Sequence, residues 1–426
     1  MVSLLSCIAI AACYLSCSTA SPTGHFARQA QWPNGPFFSN GNRMVDASNN
    51  TVKYAGTNWP GHGEAMVPEG LQYQSIATIV SDIKSLGMNV IRLTYAIEMI
   101  DQIYDNDGQD IRLDTSFTEA LGSTNGTKVL NQVLANNPQF TAATTRLEVF
   151  DAIAAECAKQ EIYIHLDNHI SQAKWCCGGA DGNAWFGDSE FPVDNWMRGL
   201  AFMAKHGKSW SNFVSISLRN ELRQPTGTAS STLESYDWAT WYKHIKLATA
   251  AINAANPDPL IFLSGLNYDT TLQPVVQGTA LTPGTEVFDD EDFPGFRNKL
   301  VLELHNYSNS ATSCSALKSD LGTKGFQSMD PSNSAVKNVF PVLMTEWGFL
   351  QTDSTWKGVY TSCLAEFLPE SSAGWMYWVL VGSYYVRSGT QDFEETWGLL
   401  AHDWSGWRNN DYIQGSLIPM VEASLA

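Results

Sequence analysis

Short runs rich in Val, Ile, Leu, Tyr and Phe recur along this chain between polar stretches. They predict eight strands: Val52–Asn58, Asn89–Leu93, Tyr163–His169, Val214–Leu222, Leu260–Gly265, Lys299–Asn306, Pro341–Gly348 and Gly374–Gly382. Most are continuous apolar runs, as expected of strands buried on both faces. Between them, apolar positions recur at helical spacing. Leu147, Phe150, Ile153 and Ala154 form such a stripe within Ala142–Gln160, and Tyr73–Leu86 stops at Gly87. Further helices are predicted over Val193–Trp210, Tyr236–Ala255, Cys314–Gly325 and Thr355–Phe367. Strands alternating with helices build parallel βαβ units. Eight of them in one chain predict an α/β fold closed into a (β/α)8 TIM barrel. No second core and no linker rich in Pro, Ser or Thr breaks the pattern, so a single domain is expected over 21–426. Phe37–Asn50 reads as an N-terminal hairpin that plugs the barrel bottom. Long βα loops follow strands two, three, five and eight, among them Tyr104–Pro138 and Asp392–Asn410.

The first twenty residues read differently. Leu4–Leu15 is an uncharged apolar run, followed by the small residues Ser18, Thr19 and Ala20 and then Ser21-Pro22. That pattern predicts a secretory signal peptide over 1–20, although a basic start is missing. The run is too short to cross a bilayer, and no membrane partner is expected. An extracellular location follows. It matters for the cysteines, because the leader would remove Cys7, Cys13 and Cys17 and leave Cys157, Cys176, Cys177, Cys314 and Cys363. Two bridges are expected, one from Cys157 to Cys176 or Cys177 and one from Cys314 to Cys363, with one thiol over. No Cys/His spacing suggests a metal site or a cofactor. Asn49 and Asn125 open glycosylation sequons in surface stretches, and Asn306 opens a third at a strand end expected to be buried.

Charge narrows the partners. Asp plus Glu number 43 against 25 Lys plus Arg, a net charge of −18 over 426 residues. Such a field repels a phosphate backbone, so nucleic acid is not expected. The 15 Trp suit a neutral ligand with flat faces. A monomer is expected.

In a barrel of this kind active sites lie at the C-terminal strand ends. Strand two ends with Arg92, strand three with Asp167-Asn168-His169, and strand four with Arg219-Asn220-Glu221. Strand six ends with His305-Asn306-Tyr307, strand seven with Glu346-Trp347, and strand eight carries Trp375, Tyr377 and Trp378. Ionisable groups at the ends of apolar runs are costly unless they are paired or used. Glu221 and Glu346, on strands taken to face each other across the mouth, can approach to about 5 Å, the spacing of a retaining glycosidase. One would be protonated and the other ionised. Arg92 and Tyr307 beside Glu346 are expected to lower its pKa and make it the nucleophile. Trp59, Trp175, Trp185 and Trp347 are candidate stacking surfaces for sugar rings. Asp167 is expected to support His169, and His62 and Glu64 to sit in a solvated loop. An acidic pH optimum follows from the need for a protonated Glu221.

Together, Arg92, His169, Asn220-Glu221, His305, Tyr307, Glu346 and Trp378 resemble the signature of glycoside hydrolase family 5, the cellulase family. The resemblance runs through all eight strands. It implies Glu221 as general acid/base and Glu346 as nucleophile, with no metal or cofactor. It also implies Arg92 and Tyr307 positioning the nucleophile, Asn220 on the sugar 2-hydroxyl, His169 and His305 supporting the first subsite, and Trp378 as its platform. The family commonly has Pro after the acid/base Glu, where Leu222-Arg223 stand here. Trp175-Cys176-Cys177 with Asp181-Gly182-Asn183 is similar to the long third loop of an extracellular fungal and plant branch. The function implied is retaining hydrolysis of a β-linked oligo- or polysaccharide, with endo-β-1,4-glucanase as the leading reading. The alternatives are a β-mannanase, a β-1,3- or β-1,6-glucanase or an exo-acting β-glycosidase. A further alternative class is a non-catalytic carbohydrate-binding barrel.

Overall fold

A computed structural model of the protein describes residues 32–426, apart from residue 228. The leader expected over 1–20 lies outside the described residues. A small antiparallel sheet comes first, formed by β1 (Phe38–Asn40), β2 (Arg43–Val45) and β3 (Thr51–Val52). The barrel strands follow: β4 (Ala55–Trp59), β5 (Val90–Ala96), β6 (Tyr163–Ile170), β7 (Phe213–Ser217), β8 (Leu260–Leu263), β9 (Leu300–Asn306), β10 (Val342–Trp347) and β11 (Gly374–Tyr377). They close in the order β4 to β11, each pair parallel, with β11 hydrogen-bonded back to β4. The (β/α)8 barrel is the architecture the alternation of runs predicts. A hairpin, β12 (Ser383–Arg387) and β13 (Thr390–Glu394), projects after the last barrel strand.

The small sheet closes the barrel bottom. Phe37 and Met44 pack with Tyr54, Val90, Tyr163, Val214, Leu260 and Val301 in one buried cluster. Lys299 donates from Nζ to the Phe37 carbonyl at 2.7 Å and lies over the Phe38 ring. The expected plug is therefore present, but it takes Val52 with it as part of a third strand, and the barrel strand begins only at Ala55. At the other end of the chain the last barrel strand stops at Tyr377, well short of Gly382, because the chain leaves the ring to enter the hairpin.

The predicted helices appear at Ile76–Ser85, Arg146–Lys159, Val193–His206, Trp238–Ala255, Cys314–Lys324 and Val359–Glu370. Thr145 caps its helix reciprocally with Glu148. The stretch expected as a loop over Tyr104–Pro138 is largely helical, with Leu113–Leu121 and Ser123–Asn136 packed on each other. Among the described residues no helix is long and apolar enough to cross a membrane.

The cysteines correct one expectation. Cys314 is bonded to Cys363, as foreseen, but Cys157 is a free thiol buried in its helix. Cys176 and Cys177 are bonded to each other. Cys157 sits on the core face of Arg146–Lys159, with no exposure, and so cannot reach the loop after β6. Asn49 and Asn125 are exposed, and Asn306 is buried.

Candidate active site

Strand alternation decides which side chains reach the mouth, since successive residues point to opposite faces. On β6 the inward set is His165, Asp167 and His169, and on β9 it includes Glu303 and His305. The β9–β10 register shifts between Met344 and Glu346. Such a bulge re-aims side chains; here Thr345 and Glu346 both turn inward. Glu221 lies four residues beyond β7. Its φ is +49°, a left-handed conformation, and its N–H donates to Asp269 Oδ2 at 2.7 Å. That anchor holds a backbone geometry a non-glycine residue seldom adopts.

The two glutamates come together. A carboxylate oxygen of Glu221, one of Glu346 and a ring nitrogen of His305 lie within 4.8 Å of one another. Their strands, β7 and β10, are three places apart around the ring rather than diametrically opposite.

The partners of the two carboxyls differ. Arg92 donates from Nη1 to Glu346 Oε1 at 2.5 Å, and Tyr307 donates its hydroxyl to Oε2 at 2.9 Å. The same guanidinium holds Asp167 at 3.0 Å, Asn58 Oδ1 at 2.8 Å and Asn220 Oδ1 at 2.9 Å. With its oxygen held, the Asn220 amide N–H group faces the cavity. Among the described residues no Lys or Arg pairs with Glu221. Oε1 meets His305 Nδ1 at 3.1 Å, and the other ring nitrogen, Nε2, meets Thr345 Oγ1 at 3.1 Å. Thr345 donates in turn to Glu303 Oε2 at 2.9 Å.

Burial pushes the Glu221 carboxyl up to about 7, against the pull of Arg223 and Arg92. Burial also raises Glu346, with His305 and Arg92 drawing it back. The expectation of a lowered Glu346 is thus corrected: Arg92 and Tyr307 do bind it, but the loss of water outweighs them. Burial lowers His305 as well, keeping its ring neutral. A neutral ring that donates from Nε2 to Thr345 presents a lone pair at Nδ1, and only a protonated Glu221 can donate to it.

These groups line or back a cavity of about 430 Å³, within the usual range for small-ligand sites. His169, Asn220, Glu221, Tyr307, Glu346 and Trp378 form its surface, and Arg92 and His305 stand directly behind. His169 donates from Nδ1 to Asp167 Oδ2 at 2.7 Å, the support expected of Asp167, and stacks on Trp378 with centroids 5.2 Å apart. His62 is buried against His169 at 3.9 Å rather than solvated.

Trp59 and Trp347 do not reach the cavity. Asn58 faces inward, and Trp59, next to it on β4, faces the surrounding shell; Trp347, on the far side of the β10 register shift from Thr345, does the same. Trp59 is fully buried and donates its indole N–H to the Glu69 carbonyl at 3.0 Å. Trp347 packs among Trp375 and Tyr377. Trp185 is likewise buried. Trp175 does line the cavity, joined by Cys176, Cys177, Tyr268, Arg387, Glu395 and Trp397, which the sequence did not mark as ligand-facing. The loop Asp392–Asn410 was the available signal for Glu395 and Trp397; nothing local marked Tyr268 or Arg387.

Known proteins are similar to this chain in sequence and in fold. A 34% identical protein of Chamaecyparis obtusa, named a glycosyl hydrolase 5 family protein, aligns over 89% of this chain, which spans 65% of that protein's length. An endoglucanase of Paenibacillus polymyxa is 24% identical over 92% of this chain and 89% of its own. The structure of an endocellulase from Pyrococcus horikoshii with cellotetraose superposes with a TM-score of 0.66, at 17% identity, over 92% of this chain and all of that one. The sequence model described as cellulase (glycosyl hydrolase family 5) matches residues 45–383. On that match, the chain belongs to the cellulase family, glycosyl hydrolase family 5.

Proposed function

We propose that the chain is a secreted β-glycoside hydrolase that retains anomeric configuration, with β-linked glucan or gluco-oligosaccharide as substrate. The observation that carries the reading is the approach of Glu221 and Glu346 to within 4.8 Å with unlike partners. Retaining enzymes keep their carboxyls about 5 to 5.5 Å apart, whereas inverting ones leave room for a water. In the first step Glu346 attacks the anomeric carbon while Glu221 gives its proton to the leaving oxygen. A covalent glycosyl–Glu346 ester results. In the second step Glu221 takes a proton from water, whose oxygen attacks the same carbon and frees Glu346. Arg92 and Tyr307 hold Glu346 ready, Asn220 meets the 2-hydroxyl, and Trp378 with His169 offers a flat floor for the ring.

The Paenibacillus endoglucanase and the Pyrococcus endocellulase bound to cellotetraose favour a β-linked glucan as substrate. Secretion is supported by the Leu4–Ala20 leader pattern and by the Cys314–Cys363 bond, which persists in oxidising compartments. One chain supplies every group of the site, so a monomer suffices.

The test is hydrolysis of β-glucans, mannan and aryl β-glycosides by wild type, Glu221→Ala and Glu346→Ala. Each variant is expected to lose about a hundredfold to ten-thousandfold or more in kcat on natural substrate. Azide should restore Glu346→Ala with the α-glycosyl azide and Glu221→Ala with the β-anomer. Full activity in either variant, or inverted product from wild type, overturns the mechanism.

A further inference from the structure

One side of the barrel mouth is bridged by side chains from two loops. Trp175, in the loop after β6, meets the hairpin that follows β11. The Trp175 ring lies 5.4 Å from Tyr384, edge to face, and 6.4 Å from Trp378. The Arg387 guanidinium sits 3.4 Å above the Trp175 ring centre and pairs with Glu395 at 2.6 Å. Around the ring the order is β11, β4, β5, β6, so this contact bridges the mouth across β4 and β5.

The bridge is braced from below. The Tyr385 N–H donates to Glu69 Oε2 at 2.6 Å, and the Tyr385 hydroxyl donates to the Pro68 carbonyl at 3.1 Å, tying β12 to the loop after β4. Phe117, from the segment after β5, packs edge-on against Tyr385 at 5.0 Å. A cation over an indole, itself ion-paired and partly desolvated, is a firm contact rather than a passing one.

The opposite side stays open. Glu221, Tyr268 and Tyr307 follow β7, β8 and β9, and the two tyrosines are 40% and 36% exposed. The direction of the substrate follows, given the hydrolase reading above, on which this inference rests. The sugar attacked by Glu346 lies over Trp378 and His169, against the bridge. The leaving group lies toward Glu221 and Tyr268. A chain continuing beyond the attacked sugar, toward its non-reducing end, would run into Trp175 and Arg387.

We propose that the Trp175–Arg387–Glu395 bridge closes the glycone side of the cavity, so that the protein removes terminal sugar from the non-reducing ends of β-linked gluco-oligosaccharides instead of cutting within chains. The bridge is thus a specificity element built from two loops that the barrel itself does not require.

The experiment compares β-gluco-oligosaccharides that have a free non-reducing end with the same compounds blocked there as the 4,6-O-benzylidene acetal. Wild type is expected to hydrolyse the free compounds at least about a hundredfold faster, releasing sugar from that end. Trp175→Ala/Arg387→Ala is expected to narrow the ratio by gaining on the blocked compounds. Arg387→Gln, which keeps chain length and loses the charge, serves if the double variant melts early. Equal rates on free and blocked compounds with wild type overturn the proposal while leaving the hydrolase reading intact. An undiminished ratio in folded variants overturns the role of the bridge. Hydrolysis of neither compound, with Glu221→Ala and Glu346→Ala indistinguishable from wild type, overturns the hydrolase reading and this inference with it.

Discussion

His305 Nδ1 lies 3.1 Å from Glu221 Oε1, at the end of a hydrogen-bond chain that starts on the buried carboxylate of Glu303. Thr345 donates its hydroxyl to Glu303, and a His305 ring that donates from Nε2 to Thr345 leaves Nδ1 to accept from Glu221. Thr345→Val preserves shape and removes the link. It is expected to lower the pH at which Glu221 loses its proton by about half to one unit, the scale of one hydrogen bond. The readout is the basic limb of kcat/KM against pH, with no comparable shift in the acid limb.

The pH profile of wild type follows from the same pair. Glu221 is pushed up to about 7 by burial, so activity depending on its proton is present below that pH and falls as pH rises through it. Glu346 must be ionised to attack; burial raises it above its ordinary value, so the acid limb sits above that of a free glutamate. The optimum is expected below 7. Stability carries the same sign. A carboxyl raised on folding favours the folded state at acid pH and ceases to do so as pH climbs through its folded value. A peak above pH 7.5 in the rate profile would contradict the assignment of Glu221.

Tyr307→Phe removes one of the two donors to Glu346. A hydrogen bond to a charged group contributes about 1.5 to 3 kcal/mol, so kcat is expected to drop about tenfold to a hundredfold. The acid limb should move to higher pH, because the ionised form of Glu346 has lost a partner. A loss of Tm equal to that of a core truncation, with an unshifted limb, would mark Tyr307 as merely structural.

Two tryptophans should behave in opposite ways. Trp378 faces the cavity, 8% exposed, and Trp378→Ala is expected to raise KM with a small change in Tm. Trp59 is fully buried in the shell, and Trp59→Ala is expected to cost about 3 to 5 kcal/mol of stability. Trp59→Phe, milder in the core, should bind substrate as wild type does. Thermal unfolding and KM measured side by side separate the two.

Cys314 and Cys363, 49 positions apart, tie two helices together. Closing a loop of that length stabilises the folded chain by about 4 kcal/mol in the chain-entropy account. Cys314→Ser/Cys363→Ser is expected to lower Tm by several degrees and leave kcat/KM unchanged, since neither residue approaches the cavity.

Particular elements show how far the one-dimensional pattern reaches. The apolar runs placed the barrel strands because a strand buried on both faces has a local signature. Arg92, Glu221, His305 and Glu346 were legible because polar groups at the ends of such runs are anomalous and the mouth of the barrel gathers them. The outward burial of Trp59 was also within reach, since Asn58 claims the inward face and strand alternation sends its neighbour out; that of Trp347 was not, because the register shift on β10 breaks the alternation.

Other features had no local signal. Cys157 is barred from a bridge by the depth of the helix that carries it, and Cys176 pairs with its own neighbour instead. The raised Glu346 reflects water excluded by residues distant in sequence, a quantity no motif encodes. The bridge of Trp175 and Arg387 joins loops more than two hundred positions apart. The sequence alone determined the barrel, the order of its strands and the chemistry at their ends, because periodicity and strand-end polarity are local properties. The tertiary structure alone decided the burial that raises Glu221 and Glu346, the pairing of Cys176 with Cys177 and the meeting of Trp175 with Arg387. Each of these depends on desolvation and contact between segments that meet only when the ring is complete.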